Sequence, residues 1–233
     1  MDRDFLADFN KLKEMEKLSE KRFVMETKDF YPCLNDKTSN TGFDRHYIYH
    51  PAWASRIISR INPDKHVDIS STLYFSSILS AFVPVDFYDY RPANLSLPNL
   101  RSLSADLMAL PFEDGSLDSL SCMHTVEHIG LGRYGDALDY NGDLKAIAEL
   151  KRVLAKGGHF FFVVPVGKEN RLFFNAHRVY TKSQVLDLFS DLVLVDFSLI
   201  PEDENDGGLV SDPNEQLLQK QNYGCGCFYF VKK

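Results

Sequence analysis

The sequence lacks the features that mark secreted and membrane-bound proteins. It has no apolar run long enough to cross a bilayer, and its first 23 residues are charged throughout, without the apolar core of a secretory signal. Cysteine is scarce, with four residues in 233. Because thiols stay reduced in the cytoplasm, these absences together predict a cytoplasmic protein that does not bind membranes.

The sequence also lacks a basic excess. Its formal net charge is −7, with 26 Lys and Arg residues against 33 Asp and Glu residues. A surface that follows a phosphate backbone usually needs a positive excess, so nucleic acid is not an expected partner. The length and the 44% share of apolar residues are typical of a soluble α/β protein, for which we expect a small-molecule substrate.

The only clustered cysteines are Cys225 and Cys227, in the sequence CGC near the C-terminus. Alternation along a strand directs both side chains to the same face. Two thiols are too few for a structural zinc site unless distant ligands join them. We therefore interpret them as small residues of a packed terminal strand and predict no metal.

The N-terminal region has the pattern of a helical extension. Phe5 and Phe9 recur at helical spacing, so we predict an extension over residues 1–45 and an α/β domain over residues 46–233. Residues 5–23 either cover the pocket of that domain or pair with a second subunit. The second alternative would make the protein a homodimer, and the sequence does not choose between the two.

Strand and helix patterns alternate in the rest of the chain, which predicts a doubly wound, Rossmann-like sheet with helices on both faces. A helix with Pro51 in its first turn precedes the first strand, and Gly157 and Gly158 lie beyond the end of a later helix as stop signals. A capping box from Thr181 to Gln184 opens another helix. The predicted strands lie near residues 66–70, 84–90, 102–106, 118–124, 159–165, 192–200 and 224–231.

Polar residues stand at the ends of successive predicted strands. Asp68 and Ser70 follow the first strand, Asp89 ends the second, Asp106 the third and His124 the fourth. The separation 89 − 68 = 21 is close to the ~20 residues at which a carboxylate meets a ribose hydroxyl pair. Because ligands of doubly wound sheets bind beyond the carboxyl ends of the strands, these residues predict a nucleoside-type site.

Residues 104–130, SADLMALPFEDGSLDSLSCMHTVEHIG, resemble the middle of a class I S-adenosylmethionine-dependent methyltransferase. In that family an acid after the third strand lies near the adenine, an LPF-D-S-D connection follows, and the fourth strand ends near EH. A closer resemblance is to a group of uncharacterised proteins of that fold, which carry SLSCxHTVEHIGLGRYGD, FNAHRVY and YGCGxF motifs. The resemblance covers most of residues 47–233. It implies S-adenosylmethionine as cofactor and a mostly parallel sheet with an inserted antiparallel last strand.

The turn after the first strand departs from the family pattern D-x-G-x-G-x-G. Asp68 matches, whereas Ser70, Thr72 and Tyr74 replace the three glycines. Glycine provides positive φ and space for a ligand close to the backbone, and serine is the least damaging replacement because it is small. S-adenosylmethionine has no phosphates and does not need an anion cradle. We therefore predict a working cofactor turn, with Ser70 and Ser71 close to the amino-acid end of the cofactor.

The predicted site residues fall into three groups. The cofactor-binding residues are Asp68, Ser70, Ser71, Asp89, Tyr90, Asp106, Leu107 and His124. The substrate-binding residues are Arg133, Tyr134 and Arg178, and the catalytic residues are His128, Asp136 and His177. Each also has a purely structural interpretation, such as helix capping, packing or a loop salt bridge. Asp136, Asp139 and His128 have the chemistry of a magnesium site, but their spacing is not diagnostic.

Three functions are compatible with these features. The first is methyl transfer to a small molecule, with a sugar or glycan hydroxyl as the expected acceptor. The second is an NAD(P)-dependent oxidoreductase, which fits the strand, acid and spacing but not the missing G-x-G-x-x-G sequence. The third is a non-catalytic binding or scaffold protein that kept the fold and has a degenerate cofactor loop.

Overall fold

The computed structural model describes residues 2–233, and the chain divides into two compact units. The first unit ends at Phe43 and contains helix α1, Arg3–Lys17, and a 3-10 turn, Thr27–Asp29. The ring of Phe30 meets Phe5 and Phe9 edge-on, with centroids 5.1 and 4.7 Å apart. None of residues 2–43 is buried, so this unit has only a small apolar contact of its own.

The second unit, Asp44–Lys233, contains an eight-stranded sheet and five helices. Its helices are α2 Arg45–Ile61, α3 Leu73–Leu79, α4 Gly142–Val153, α5 Lys182–Leu188 and α6 Glu215–Lys220. Its strands are β1 His66–Ile69, β2 Val85–Asp89, β3 Leu100–Ser104, β4 Leu117–Met123, β5 Leu154–Val166, β6 Arg171–Phe173, β7 His177–Val179, β8 Leu192–Ile200, β9 Val210–Ser211 and β10 Gly224–Lys232.

The seven predicted strands all belong to this one sheet, whose order is β3-β2-β1-β4-β5-β10-β8-β9. The pairs β2–β3, β1–β2, β1–β4 and β4–β5 are parallel. Strand β10 lies between β5 and β8 and is antiparallel to both. The predicted doubly wound sheet with an inserted antiparallel last strand is therefore confirmed.

Helices cover both faces of the sheet, as predicted. On one face Trp53 and Ile58 of α2 and Phe75 of α3 belong to a buried cluster with β-strand side chains. On the other face Leu150 of α4 and Val185 of α5 belong to a second cluster. Strand β5 contributes to both clusters, as a central strand covered on both sides must.

Helix α2 begins earlier than the sequence predicts. Asp44 is its N-cap and accepts a hydrogen bond from the Tyr47 backbone N–H, so Pro51 lies inside the helix and not in its first turn. A proline there removes one helical hydrogen bond. The cap at Asp44 and the buried face that includes Trp53 and Ile58 stabilise the helix nevertheless.

Helix α4 ends earlier than predicted, at Val153, and strand β5 follows directly. Gly157, at φ 77°, and Gly158 therefore belong to an irregular start of β5. A Cβ at Gly158 would lie 2.8 Å from the Ala155 carbonyl oxygen and 2.9 Å from that of Leu117. Gly158 allows this close approach to β4, and Gly157 provides the positive φ, so neither glycine caps the helix.

Two further features were not predicted. Strands β6 and β7 form a separate hairpin in the FNAHRVY region, and the two-residue β9 pairs with the edge of β8. None of the helices within residues 2–233 combines the length and the apolar character that crossing a bilayer requires.

Candidate functional site

A pocket of about 380 Å³ opens at the carboxyl ends of the first four strands. Its walls come from the segments after β1, β2, β3 and β4 and from the loop that follows β4. The strand order reverses between β1 and β4, and ligands of doubly wound sheets bind at such a switch point. Ten predicted site residues line it together: Ser70, Ser71, Asp89, Tyr90, Asp106, Leu107, His124, His128, Tyr134 and Asp136.

The turn after β1 keeps the conformation that glycine normally provides. Ser70 has φ 52°, in the left-handed region, and its hydroxyl donates to the Tyr88 carbonyl at 3.1 Å. The Ser71 hydroxyl accepts from the Met123 backbone N–H at 3.1 Å, which ties the turn to β4. Ser70 and Ser71 therefore tie the turn to the neighbouring strands β2 and β4. Both side chains are short, so the turn leaves space in the pocket.

Thr72 has a capping role in this turn. Its hydroxyl accepts hydrogen bonds from the backbone N–H groups of Tyr74 and Phe75, at the start of α3. Thr72 is absent from the pocket wall, so its branched side chain does not crowd the pocket. The cap also occupies N–H groups that a dinucleotide loop would offer to a pyrophosphate.

Asp68 lies beneath the pocket and is wholly buried, so the structure does not place it as a direct cofactor ligand. Its carboxylate accepts from the hydroxyls of Ser76 and Ser121 at 2.6 and 2.5 Å. Burial raises the pKa of Asp68 to about 6, against the opposing effect of these hydrogen bonds. Because Ser121 donates to Asp68, the His66 Nε2–H must donate to Ser121, at 2.8 Å. Asp68 thus organises the floor of the site.

Asp89 and Asp106 stand at neighbouring strand ends on the pocket wall. Asp89 Oδ1 accepts from the Arg91 backbone N–H at 2.7 Å, and Asp106 Oδ1 accepts from Met108 N–H at 2.8 Å. In each case one carboxylate oxygen orients the side chain. The other has no hydrogen bond within the described residues and is left to accept from a ligand.

The glycine-rich loop after β4 is folded around Asp136. This carboxylate accepts from the backbone N–H groups of Gly130, Gly132 and Tyr134, at 2.8, 3.3 and 3.2 Å. Burial opposes its ionisation, but these hydrogen bonds outweigh burial and lower the pKa of Asp136. A carboxylate of lowered pKa with both oxygens engaged is a poor general base, so the structure favours a positioning role over the predicted catalytic one.

His128 and Tyr134 form the outer wall of the pocket. His128 Nδ1 lies 2.6 Å from the Ala176 carbonyl oxygen, which only accepts, and 3.3 Å from Arg133 Nη1, which only donates. The shorter contact favours the tautomer with the proton on Nδ1 and a lone pair on Nε2. Tyr134 lies between two guanidinium groups, those of Arg91 and Arg133, at 4.9 and 5.1 Å from its ring centroid. These cation–π contacts fix the ring at the pocket mouth.

Three predicted residues besides Asp68 lie outside the pocket wall. Arg178 is buried, and it donates to the carbonyls of Ile129 and Tyr140 and pairs with Asp143, so the structure contradicts its predicted contact with substrate. His177 packs in a row with His128 and Tyr223. Arg133 donates to the Ala176 carbonyl behind His128. Each supports the loop or its histidine instead of meeting the pocket.

Asp136, Asp139 and His128, whose chemistry would suit magnesium, are each engaged by other groups. Asp139 pairs with Lys145 and accepts from the Asn141 backbone N–H, while Asp136 is occupied by the loop N–H groups. Within residues 2–233 the acids and His128 do not converge on one point that could hold an ion.

Several residues of the pocket wall are not among the predicted site residues. Tyr47 comes from the first turn of α2, while Arg91, Met108 and Thr125 follow strands β2, β3 and β4. The strand-end rule that identified Asp89 and Asp106 also covers the last three. Tyr47 carries no such signal, because its place depends on how α2 packs against the sheet.

His124 is the most unusual residue of the pocket. It follows β4 at φ 57°, its side chain is buried, and its Nδ1 lies 2.8 Å from Glu127 Oε1. The rings of His46 and His124 stack with centroids 5.1 Å apart. Burial, with His124 nearby, lowers the pKa of His46 to about 4, so this imidazole is neutral at pH 7.

Comparison with known proteins supports the fold assignment. The sequence model of a family described as Caenorhabditis protein of unknown function, DUF268, matches residues 109–212. No curated protein sequence matches the chain. Among solved structures, the YcgJ protein from Bacillus subtilis is similar at a TM-score of 0.52 and 16% identity, over 78% of this chain and 99% of that chain.

Two further solved structures show how widely this fold is used. The Burkholderia thailandensis 1,6-didemethyltoxoflavin-N1-methyltransferase, solved with S-adenosylhomocysteine, has a TM-score of 0.53 and 12% identity, over 79% of each chain. The [4+2]-cyclase SpnF has a TM-score of 0.51 and 12% identity, over 78% of this chain and 81% of that chain. The chain therefore has a methyltransferase-like fold, and at these identities the likeness extends to the fold alone.

Proposed function

We propose that the protein is an S-adenosylmethionine-dependent methyltransferase acting on a small molecule. The observation that carries the proposal is the pocket at the switch point, where the Ser70–Ser71 turn faces Asp89 and Asp106. A carboxylate at the end of β2 suits a ribose diol, and the next acid with Leu107 suits the adenine edge and face.

The same pocket argues against a dinucleotide. Its volume of about 380 Å³ is near the lower end of the ~300–1,000 Å³ typical of ligand sites. Thr72 caps the first N–H groups of α3, so no free helix terminus faces a pyrophosphate. S-adenosylmethionine carries no phosphate and loses nothing by this. The fit favours it over NAD(P).

When bound, S-adenosylmethionine supplies a methyl group on a positively charged sulfur, open to in-line attack. The residues of this chain would bind the donor through the serine turn and the two acids, and would orient the acceptor near His128 and Tyr134. For a hydroxyl acceptor, such as that of a sugar or glycan intermediate, we propose His128, which lines the pocket, as the base that would take the proton. Asp136 and Arg133 would hold the surrounding loop and His128 in place.

Thermal melting with alternative ligands tests the proposal. S-adenosylhomocysteine at 1 mM should raise the melting temperature of the full chain, since a ligand at about 100 times its Kd adds about 2.7 kcal/mol of stability. NAD at the same concentration should leave it unchanged. A shift with NAD alone would support the oxidoreductase, and no shift with either would support a scaffold.

A further inference from the structure

Three residues that are far apart in the sequence meet beside the pocket. His46 lies in the first turn of α2, His124 follows β4, and Cys225 lies on β10. One donor atom from each, an imidazole nitrogen or the thiol sulfur, lies within 4.8 Å of the other two. These are the distant ligands that a thiol of the CGC sequence would need to bind a metal ion.

The hydrogen bonding of His124 leaves one of its ring nitrogens available to bind a metal ion. Its Nδ1–H donates to Glu127 Oε1 at 2.8 Å, which leaves a lone pair on Nε2. That Nε2 is buried and has no hydrogen-bond partner within the described residues. A histidine that binds a metal through one nitrogen and a carboxylate through the other is a recurring arrangement, because the carboxylate fixes the tautomer and the ring orientation.

Glu127, the buried carboxylate beside these residues, pairs with no Lys or Arg within the described residues. Glu127 is buried, and its Oε2 has no partner within the described residues. The ring of His50 lies beside that of His124, with centroids 5.2 Å apart. Its Nε2 is also buried and has no hydrogen-bond partner within the described residues. A divalent ion would balance one thiolate and one carboxylate. Buried polar atoms are normally satisfied, so their accumulation at one point indicates a missing partner.

We propose that His46, His124 and Cys225 form a Zn²⁺ site beside the pocket. Two imidazoles and one thiolate are borderline and soft donors, which select zinc-type ions over magnesium or calcium. In a tetrahedral site the donors stand about 3.3–3.6 Å apart, so the three side chains close by roughly 1 Å on binding. Binding displaces the Cys225 thiol proton to solvent.

The site differs from a structural zinc site in the number of its protein ligands. Three ligands leave a fourth position for water or substrate, as in zinc sites that take part in reactions. His124 also lines the ligand pocket, and so does Tyr47, the neighbour of His46. A bound ion would therefore lie next to the pocket. The proposal concerns these residues alone and does not depend on the methyl-transfer function.

Zinc binding to the full chain tests the proposal. After incubation with Zn²⁺ and desalting, wild type should retain about one equivalent by elemental analysis, the stoichiometry of a single three-ligand site. Cys225→Ser and His46→Asn should each weaken retention by more than about 100-fold, and Glu127→Gln by about 10–100-fold. Cys33→Ser removes an exposed thiol and His159→Asn a histidine outside the site, and both should retain zinc as wild type does.

Cobalt provides a second readout that unfolding of a variant does not mimic. Co²⁺ in the wild-type site should show tetrahedral visible bands and a near-ultraviolet thiolate-to-metal band, and Zn²⁺ should raise the melting temperature in a chelator-reversible way. Wild type that retains no zinc and shows no melting shift would overturn the proposal. So would zinc retention in Cys225→Ser and His46→Asn equal to wild type, or a cobalt spectrum without the thiolate band.

Discussion

Among single residues, Ser70 carries the left-handed backbone that glycine supplies in related loops, with φ at 52°. A non-glycine residue there costs about 1–2 kcal/mol, and the hydrogen bond from its hydroxyl to Tyr88 offsets roughly 1 kcal/mol of this. The serine turn is therefore held by a specific contact. A decayed loop would have no reason to keep a small side chain in a costly conformation facing the pocket.

Substitutions at Ser70 separate the backbone requirement from the space requirement. Ser70→Gly relieves the φ cost but loses the hydrogen bond to Tyr88, so we expect stability within about 1 kcal/mol of wild type and retained binding of S-adenosylhomocysteine. Ser70→Leu keeps the φ cost, loses the hydrogen bond to Tyr88 and fills the pocket, so we expect a stability loss of about 1 kcal/mol and no binding. Urea unfolding and calorimetry measure both. Binding by the Leu variant equal to wild type would show that the ligand lies elsewhere.

Replacing Asp68 tests whether its buried carboxylate has a raised pKa in the folded protein. Its folded-state pKa of about 6 exceeds an unfolded value near 3.9, so its contribution to stability falls as pH rises from about 4 to 6. We expect Asp68→Asn to gain about 2–3 kcal/mol relative to wild type between pH 4 and pH 7. His66, with its pKa lowered to about 3 by burial, changes stability in the opposite sense over the same range. The informative quantity is therefore the difference between the two proteins' unfolding free energies. A difference that does not vary with pH would show that Asp68 titrates normally.

Replacing Asp89 tests directly whether its carboxylate binds the ribose hydroxyls of the cofactor. Asp89→Ala should weaken S-adenosylhomocysteine binding by about 1.5–3 kcal/mol, the cost of losing charge-assisted hydrogen bonds. Asp118, an exposed acid on β4 outside this pocket, provides the control, and Asp118→Ala should leave the affinity unchanged. Equal affinities of wild type and Asp89→Ala would remove Asp89 from the site.

Among the elements, the strands were predictable and the helix ends less so. Strand β5 and the closing strands are long apolar runs that leave few alternatives, and the inserted place of β10 followed from family resemblance. The start of α2 was missed because Pro51 resembles a first-turn residue, whereas the capping contact of Asp44 is visible only in the structure. The pair Gly157 and Gly158 resembled a helix stop because the close approach of Gly158 to Leu117 on the neighbouring strand is visible only in the structure.

In the candidate site, the residues at strand ends were predictable, whereas the residues whose place depends on tertiary packing were not. Strand-end acids and the serine turn follow from the alternation of elements, and these residues do line one pocket. The direction of Arg178 was not predictable, because its buried bonds to Ile129 and Tyr140 depend on how the loop folds back. The meeting of His46 with Cys225 joins the two ends of the domain, which no local pattern reveals.

The loop after β4 is held by the Asp136 carboxylate as well as by its glycines. Asp136→Ala leaves three backbone N–H groups without their acceptor, so we expect a loss of about 2–3 kcal/mol and faster amide exchange in residues 130–136. Asp136→Asn keeps one acceptor and should lose less. Because the folded-state pKa is lowered, the advantage of wild type over Ala should shrink as pH falls below about 4. Unchanged exchange in the Ala variant would contradict this role.

For the whole molecule, both buried clusters and the entire pocket wall lie within residues 44–233. We expect a protein of residues 44–233 to melt cooperatively and to bind S-adenosylhomocysteine within about threefold of the full chain, a difference below about 0.7 kcal/mol. A truncated protein that folds but loses binding would instead support residues 5–23 as a cover of the pocket.

The central claim is that the pocket at the switch point binds S-adenosylmethionine, and calorimetric titration of the full chain with S-adenosylhomocysteine tests it most directly. The structure leads us to expect saturable 1:1 binding for wild type, retained in Ser70→Gly and abolished in Ser70→Leu, with each variant's fold checked by melting. If wild type shows neither binding heat nor a melting shift at millimolar ligand, the serine turn is a relic and the methyltransferase proposal is wrong.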